Sequence, residues 1–403
     1  MRIAVVEPDG GGGMIHYAYQ LCTALAAEGA DVTLITSRHY ELADLPHDFT
    51  VDTRMRLWAN VVPGRRPKNR GRILGSLNAW GRSVRRAVRG AKLVWAWERL
   101  TRHLIRIRPD VVQFGVVRFG FVAFFLRRLQ RAGLVLTQVC HEFTERDGEP
   151  TGIDTPSAYH TFSRIFLHGD ANLSSFLAAF AVPPERCVAI PHGNEALLAR
   201  AGDPGGDLRG GYGIPPERPV ALFFGGLRPS KGLDDLIDAF ALVLAELDAS
   251  LVVAGAAQGV DPGALVARAE RLGIAGRVVV DPRYLPLGEV GPLLRTANVV
   301  VLPYRSASAS GALQVAYAFG KPVIVTDAGG LPEAVEPGGT GLIVPVGSPE
   351  LLARAVVKVL GDPAEAERMG ANARLASDRD YSWKPIARTV LAESRRPVEE
   401  ARG

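Results

Sequence analysis

Phe223-Phe224-Gly225-Gly226-Leu227-Arg228-Pro229-Ser230-Lys231-Gly232 runs from an apolar strand through a glycine turn to a helix start beside two cations. Such a corner suits a phosphate. Paired glycines let the backbone approach an anion, and a helix start turns free N–H groups and partial positive charge toward it. Arg228 and Lys231 add full charges. Taken alone, the segment fits an ordinary strand-to-helix turn with solvated cations equally well. The surrounding pattern gives it weight.

Outward from this corner, strand and helix patterns alternate twice, the signature of parallel sheets wound with helices. The first series opens with a strand at 2–7, the glycines Gly10-Gly11-Gly12-Gly13 and a helix at 14–28. Further strands are read at 31–36, 110–114, 134–140, 171–173 and 188–190. Residues 191–219 turn rich in Gly and Pro and mark a domain boundary. The second series has strands at 220–224, 251–254, 278–280, 299–302 and 323–326, and the tail reads as helix with Trp383 as an anchor. The expected fold is α/β, with two doubly wound Rossmann-like domains facing a central cleft. Residues 1–195 form the first, 196–376 the second, and 377–403 a helical segment. Ligands of such sheets lie at the carboxyl ends of the strands.

The 403 residues, 47% hydrophobic and 22% charged, suit two cored domains and leave little room for disorder. No apolar run approaches a membrane span. The N-terminal strand lacks a small-residue cleavage site, so no secretory signal is read and a cytoplasmic location is expected. Cys22, Cys140 and Cys187 lie too far apart for a local metal motif and are read as buried thiols.

Charge is uneven within the net +5: residues 53–108 hold sixteen Lys or Arg and a single acid, Glu98, with four of the five tryptophans. At helical spacing, Ile73, Leu77, Trp80, Val84 and Val88 form one stripe, with Arg72, Arg82, Arg85, Arg86 and Arg89 largely off it. That pattern fits an anionic membrane surface, or equally a helix packed inward with solvated arginines. No nucleic-acid reading module accompanies the charge, and nucleic acid is not expected as a partner.

The glycines at 10–13 do not make a dinucleotide fingerprint. G-x-G-x-x-G begun at Gly10 needs glycine where Ile15 stands, and begun at Gly11 needs it at His16. No acid ends the second strand near Thr36. A side-chain-free lip above the cleft remains, able to meet a pyrophosphate or a sugar.

In order, these features resemble the retaining glycosyltransferases of family 4, which have the two-domain GT-B fold. The matching positions are Gly12-Gly13, Thr137-Gln138-Val139-Cys140-His141-Glu142, Pro191-His192-Gly193-Asn194 and the corner from Gly225 to Gly232. Further on come 298–304, Ala318-Phe319-Gly320-Lys321-Pro322-Val323, Gly329-Gly330-Leu331-Pro332-Glu333 and Gly339-Thr340-Gly341-Leu342. Ser382-Trp383 resembles the segment that crosses back to the first domain.

The resemblance implies a nucleotide sugar held mainly by the second domain. Lys231 and Arg228 then stabilise charge growing on the leaving diphosphate, and His141 stands near the reacting sugar. Fixed cations and a helix start can act there without an ion, so neither metal nor cofactor is expected. Donor contacts are expected from Gly12, Gly13, Gly225, Gly226, Arg283, Tyr284, Leu285, Tyr304 and Glu333. On the acceptor side stand His16, Glu142 and Asn194. Read without the family, His141 and Asn194 fit structural roles, and Glu333 fits a helix start.

Two departures from the family pattern stand out. Counting back from Gly320, the paired glutamates of many members are replaced by Ala307 and Val315. Ser310, Gly311, Ala312 and Gln314, at a serine-capped helix start, are the candidate substitutes. The arginine usually five residues before the lysine is Gly226, with Arg228 as the nearby replacement. The expected activity is hexosyl transfer with retention from a UDP- or GDP-sugar to an acceptor hydroxyl, in cell-surface polysaccharide or glycolipid assembly. The expected acceptor is lipid-linked, with the basic 53–108 segment docking on the inner membrane surface. A GT-B-fold nucleotide-sugar epimerase and a non-catalytic nucleotide-sugar-binding module are the alternatives.

Overall fold

The computed structural model describes residues 1–53, 78–117, 120–143, 156–200 and 205–400. The first sheet is built from β1 (Arg2–Glu7), β2 (Asp31–Thr36), β3 (Thr50–Asp52), β4 (Val111–Phe114), β5 (Val135–Cys140), β6 (Arg164–His168) and β7 (Cys187–Ile190). All its pairings are parallel, in the order β3-β2-β1-β4-β5-β6-β7. The second holds β8 (Val220–Phe224), β9 (Ser250–Ala254), β10 (Val278–Asp281), β11 (Val299–Leu302), β12 (Val323–Thr326) and β13 (Gly341–Val344), in the order β10-β9-β8-β11-β12-β13. It too is parallel throughout.

Helices α1 (Gly13–Ala27), α2 (Asn78–Ile107), α3 (Val122–Arg131), α4 (Pro156–Tyr159), α5 (Asp170–Ala179) and α6 (Ala196–Arg200) accompany the first sheet and the passage out of it. With the second come α7 (Leu233–Val243), α8 (Pro262–Arg271), α9 (Leu287–Thr296), α10 (Gly311–Ala318), α11 (Leu331–Val335), α12 (Pro349–Gly361) and α13 (Pro363–Arg379). The chain then enters α14 (Trp383–Glu400).

The central strands are continuous apolar runs because helices cover both faces of each sheet. Leu222, Val252, Val300 and Ile324 are all solvent-free in one core. In the first domain, Trp97, Leu100 and Leu126 pack on one face of the sheet and Ile15, Leu21 and Leu25 on the other. Ile386, Ala387, Val390 and Leu391 of α14 belong to that second cluster, so the last helix returns to complete the first domain's core.

Strand order fixes where a ligand can sit. Each sheet reverses direction of growth beside its first strand, at β1/β4 and at β8/β11, and such switch points open a crevice at the strand ends. The glycine lip follows β1 and the cationic corner follows β8.

The strand expected at 171–173 is instead the first turn of α5, and the true strand is β6, which ends at His168. Gly169, at φ 88°, turns the chain from one into the other. A short apolar run carries no period to separate these states. The short strands β3 and β13 extend the two edges beyond the sequence reading. Of the basic segment, 54–77 lie outside the described residues, as do the side chains of 78–87 and 89. The stripe residues Ile73, Leu77, Trp80 and Val84 and the five arginines named with them therefore lie outside too. Farther along α2, Trp97 is buried at 1% exposure whereas Trp95 is 59% exposed.

Candidate active site

After β8 the chain must turn sharply, and Gly225 (φ 141°) and Gly232 (φ 63°) permit it. A Cβ at Gly232 would stand 2.0 Å from the Pro303 carbonyl oxygen, so the corner closes only around glycine. A single turn of 3-10 helix at Pro229–Lys231 then leads into α7. It places the Lys231 ammonium 3.4 Å from the centroid of the Tyr304 ring, a cation–π contact. The Arg228 guanidinium Nε donates to Gln258 Oε1 at 2.6 Å, and a side chain at Gly226 would press on the same amide.

Tyr304 carries the corner toward the next helix. It is buried, and its hydroxyl lies 3.3 Å from Ser310 Oγ. Ser310 is the N-cap of α10, accepting from the Leu313 N–H at 3.2 Å, so the capped start at Gly311 forms as the sequence predicted. Gln314 is buried with its Oε1 lacking a protein partner, and Ala312 is half-buried on the same turn. Val315, at the second missing glutamate, packs in the apolar core, and Ala307 at the first packs its backbone against Gly329.

Across the cleft, three consecutive parallel strands end in histidine. His141 follows β5, His168 closes β6 and His192 follows β7. His168 Nε2 and His141 Nδ1 are 3.1 Å apart, and Gly311 at the α10 start faces His192. Tyr17 of α1 sets its ring edge-on to all three, with centroids 4.4 to 5.5 Å away. Burial holds His141 at about 3, with His192's charge adding to the effect. It likewise lowers His192 to about 4, and pushes His168 well below its usual range. Neutral imidazoles therefore face the cleft at physiological pH.

The glycine lip meets the second domain directly. Gly12, at φ 81°, donates its N–H to Glu41 Oε1 at 2.9 Å and lies 3.0 Å from the Tyr284 hydroxyl, which itself donates to Glu41. Gly13 begins α1, and His16 one turn along faces the same carboxylate. Burial lowers the His16 pKa, but hydrogen bonding and charge from Glu41 outweigh it and leave the imidazole raised. Burial raises Glu41, and its contacts with His16, Tyr284 and Gly12 overcome that and leave it lowered.

The remaining sequence candidates are distributed as follows. Arg283 pairs with Asp281 and Glu289 on the outer side of the same loop, and Leu285 is buried in the second core. Glu333 bridges the domains: its carboxylate accepts the N–H groups of Asp170 and Ala171 at 3.0 and 3.1 Å, at the start of α5. Asn194 is part of the junction between domains. Its amide donates to Ser377 O, and its carbonyl accepts the Trp383 indole N–H at 2.9 Å. Glu142 is half-buried just after β5. The chain's single Asp-x-Asp triplet, Asp378-Arg379-Asp380, ends α13, with Asp378 paired to Arg374 and Asp380 to Arg379.

Sequence reasoning missed Glu41, His168 and Glu195. Glu41 lies in a loop with no motif. His168 ends a strand, 164–168, whose expected place was 171–173. Glu195 was passed over beside Asn194, although a carboxylate in an apolar stretch before α6 was a signal. It is buried, accepts from Gln20 Nε2 at 2.9 Å and has its pKa raised to about 7.

The two facing parallel-sheet domains, with a cationic corner opposite a glycine lip, define a GT-B architecture. Solved structures agree over nearly the whole chain: sucrose-phosphate synthase from Thermosynechococcus elongatus superposes with TM-score 0.72 at 19% identity over 98% of both chains. Anabaena HepE in complex with UDP and glucose gives 0.69 at 17% identity over 97% of this chain and 98% of that one. The model of the family "Glycosyl transferases group 1" matches residues 207–376. The chain is family 4-like in sequence. It is 32% identical over 219 residues to a D-inositol 3-phosphate glycosyltransferase of Segniliparus rotundus, covering 54% of this chain and 48% of that protein. It is 33% identical over 248 residues to D-inositol 3-phosphate glycosyltransferase 1 of Catenulispora acidiphila, covering 60% and 59%. The chain thus spans about half the length of the curated relatives it matches.

Proposed function

We propose that the chain transfers a hexosyl group from a UDP- or GDP-sugar to an acceptor hydroxyl, with retention at the anomeric carbon and without a metal at the diphosphate. The observation that carries this reading is the continuous contact path from Lys231 through Tyr304 and Ser310 to the start of α10, opposite His192 and His141. Lys231, Arg228 and the α10 N-terminus supply positive potential where charge develops on the leaving nucleoside diphosphate. His141, whose Nε2 lacks a protein partner, is available to hydrogen-bond the sugar. The group 1 match over the second domain supports the class of reaction, and HepE's complex with UDP and glucose supports a nucleotide-sugar donor.

The acceptor-side domain presents Trp95 and Phe124, each 59% exposed, with Arg99 and Arg128 guanidinium groups 4.7 and 5.7 Å from the respective ring centroids. Exposed aromatics under cations, one pair of them, Trp95 and Arg99, within the basic 53–108 segment, support docking on an anionic membrane surface and a lipid-linked acceptor. No helix among the described residues is long and apolar enough to cross a membrane.

A panel of UDP- and GDP-sugars, assayed for released UDP or GDP with and without acceptor hydroxyls, tests the transfer reading. Nucleotide release that rises with an acceptor and yields a retained glycosidic linkage is the expected result. Epimerised sugar, or binding without turnover, overturns it.

A further inference from the structure

Parallel register sets the ends of β5, β6 and β7 side by side, and each end carries a histidine. One ligand-capable nitrogen from each of His141, His168 and His192 lies within 4.8 Å of the other two. Among the described residues, no other group of three His, Cys, Asp or Glu side chains converges in this way. His168 Nε2 and His141 Nδ1, at 3.1 Å, are already near the about 3.3 Å that separates two ligands of a tetrahedral zinc with bonds of about 2.0 Å. His192 Nδ1 stands 3.2 Å from the Gly193 carbonyl oxygen, and donating there leaves the Nε2 lone pair as the ligand. Metal-binding histidines are commonly oriented by such a backbone contact.

The surroundings suit an ion. The Tyr17 hydroxyl, on the ring that packs edge-on against all three imidazoles, is a buried polar atom with no protein partner, of the kind native interiors keep for water or an ion. Ring edges of Tyr17 close one side, and Trp383, packed on Tyr17 at 5.0 Å between centroids, lies behind it. His141 and His192 are each half-buried, which leaves an approach from the cleft.

We propose that His141, His168 and His192 bind a divalent transition-metal ion of the zinc class. Three imidazoles with no carboxylate among them favour zinc, cobalt, nickel or copper over the oxygen-seeking magnesium and calcium. The ion ties three strand ends together on the acceptor-side wall, where His192 faces the α10 start across the cleft. Its ligands are none of the groups assigned to the diphosphate, Lys231, Arg228 and the α10 N-terminus, and the proposal stands whether or not the chain transfers sugar.

Titration of the metal-stripped 403-residue chain with Co²⁺ tests the site. One equivalent binds with visible d–d absorption of a nitrogen-rich, low-coordinate site, Zn²⁺ displaces it, Mg²⁺ does not, and Zn²⁺ raises the melting temperature. His168→Gln and His192→Gln each weaken Co²⁺ binding tenfold or more, and the exposed control His160→Gln leaves it unchanged. Should either cluster variant fail to fold, X-ray absorption of the zinc-loaded wild type needs no variant and should register three imidazoles. Colourless, weak Co²⁺ binding, affinity unchanged in both folded variants, or an oxygen-dominated zinc shell overturns the proposal.

Discussion

Gly193 and Trp383 are in direct register: a Cβ built on Gly193 would stand 2.5 Å from the indole Cζ2. The indole N–H also donates to Asn194 O, so this contact joins the end of the first sheet to the helix that returns from the second domain. Gly193 has φ 89°, which a side chain rarely adopts. Gly193→Ala adds backbone strain to a steric clash and should cost about 2–4 kcal/mol in denaturant unfolding. Its melting curve should also broaden as the domains uncouple.

Tyr284→Phe removes one hydroxyl from the pair of hydrogen bonds that link Gly12 and Glu41 to the second domain. The loss in unfolding free energy should be about 1–2 kcal/mol, since Glu41 keeps Gly12 and His16 as partners. Small-angle scattering of the variant should show a larger radius of gyration than wild type if this contact holds the cleft closed.

Glu195 gives a pH signature. Burial raises its pKa from 4.5 to about 7, against the opposing charge of His16 and the Gln20 hydrogen bond. Between those values the folded chain keeps a proton that the unfolded chain has released. Stability therefore falls as pH rises from about 4.5 to 7, and is lowest above 7. The shift corresponds to about 3 kcal/mol. Glu195→Gln, which still accepts from Gln20, should remove this slope and be more stable than wild type at pH 8, as measured by urea unfolding across pH.

Glu333→Ala removes the carboxylate that caps α5 from the opposite domain. Loss of a charged cap costs about 1–2 kcal/mol. If Glu333 acts as an interdomain clasp, the donor KM should change less than the melting temperature. If it holds sugar hydroxyls, the KM should rise by an order of magnitude or more with little thermal effect.

The two sheets were legible because their strands are uninterrupted apolar runs such as 220–224 and 299–302, and burial on both faces demands that pattern. The cationic turn after β8 was legible because glycines, two cations and the entry to a helix fall within ten residues. Contacts between elements were not. Glu41 meets Tyr284 across 243 positions and Glu333 meets Asp170 across 163, and no local spacing encodes either pairing. The histidine cluster escaped for a related reason: its members lie one per strand end, and misplacing β6 by a few residues hid His168 from the row.

Calorimetric titration of UDP and GDP into wild type and Lys231→Ala, paired with transfer assays on both, tests the electrostatic account most directly. The account predicts that the variant stays folded, binds the nucleotide about 100-fold more weakly and loses transfer, because a charge-assisted contact to phosphate and the leaving-group cation vanish together. A folded Lys231→Ala protein with wild-type affinity and turnover would contradict it.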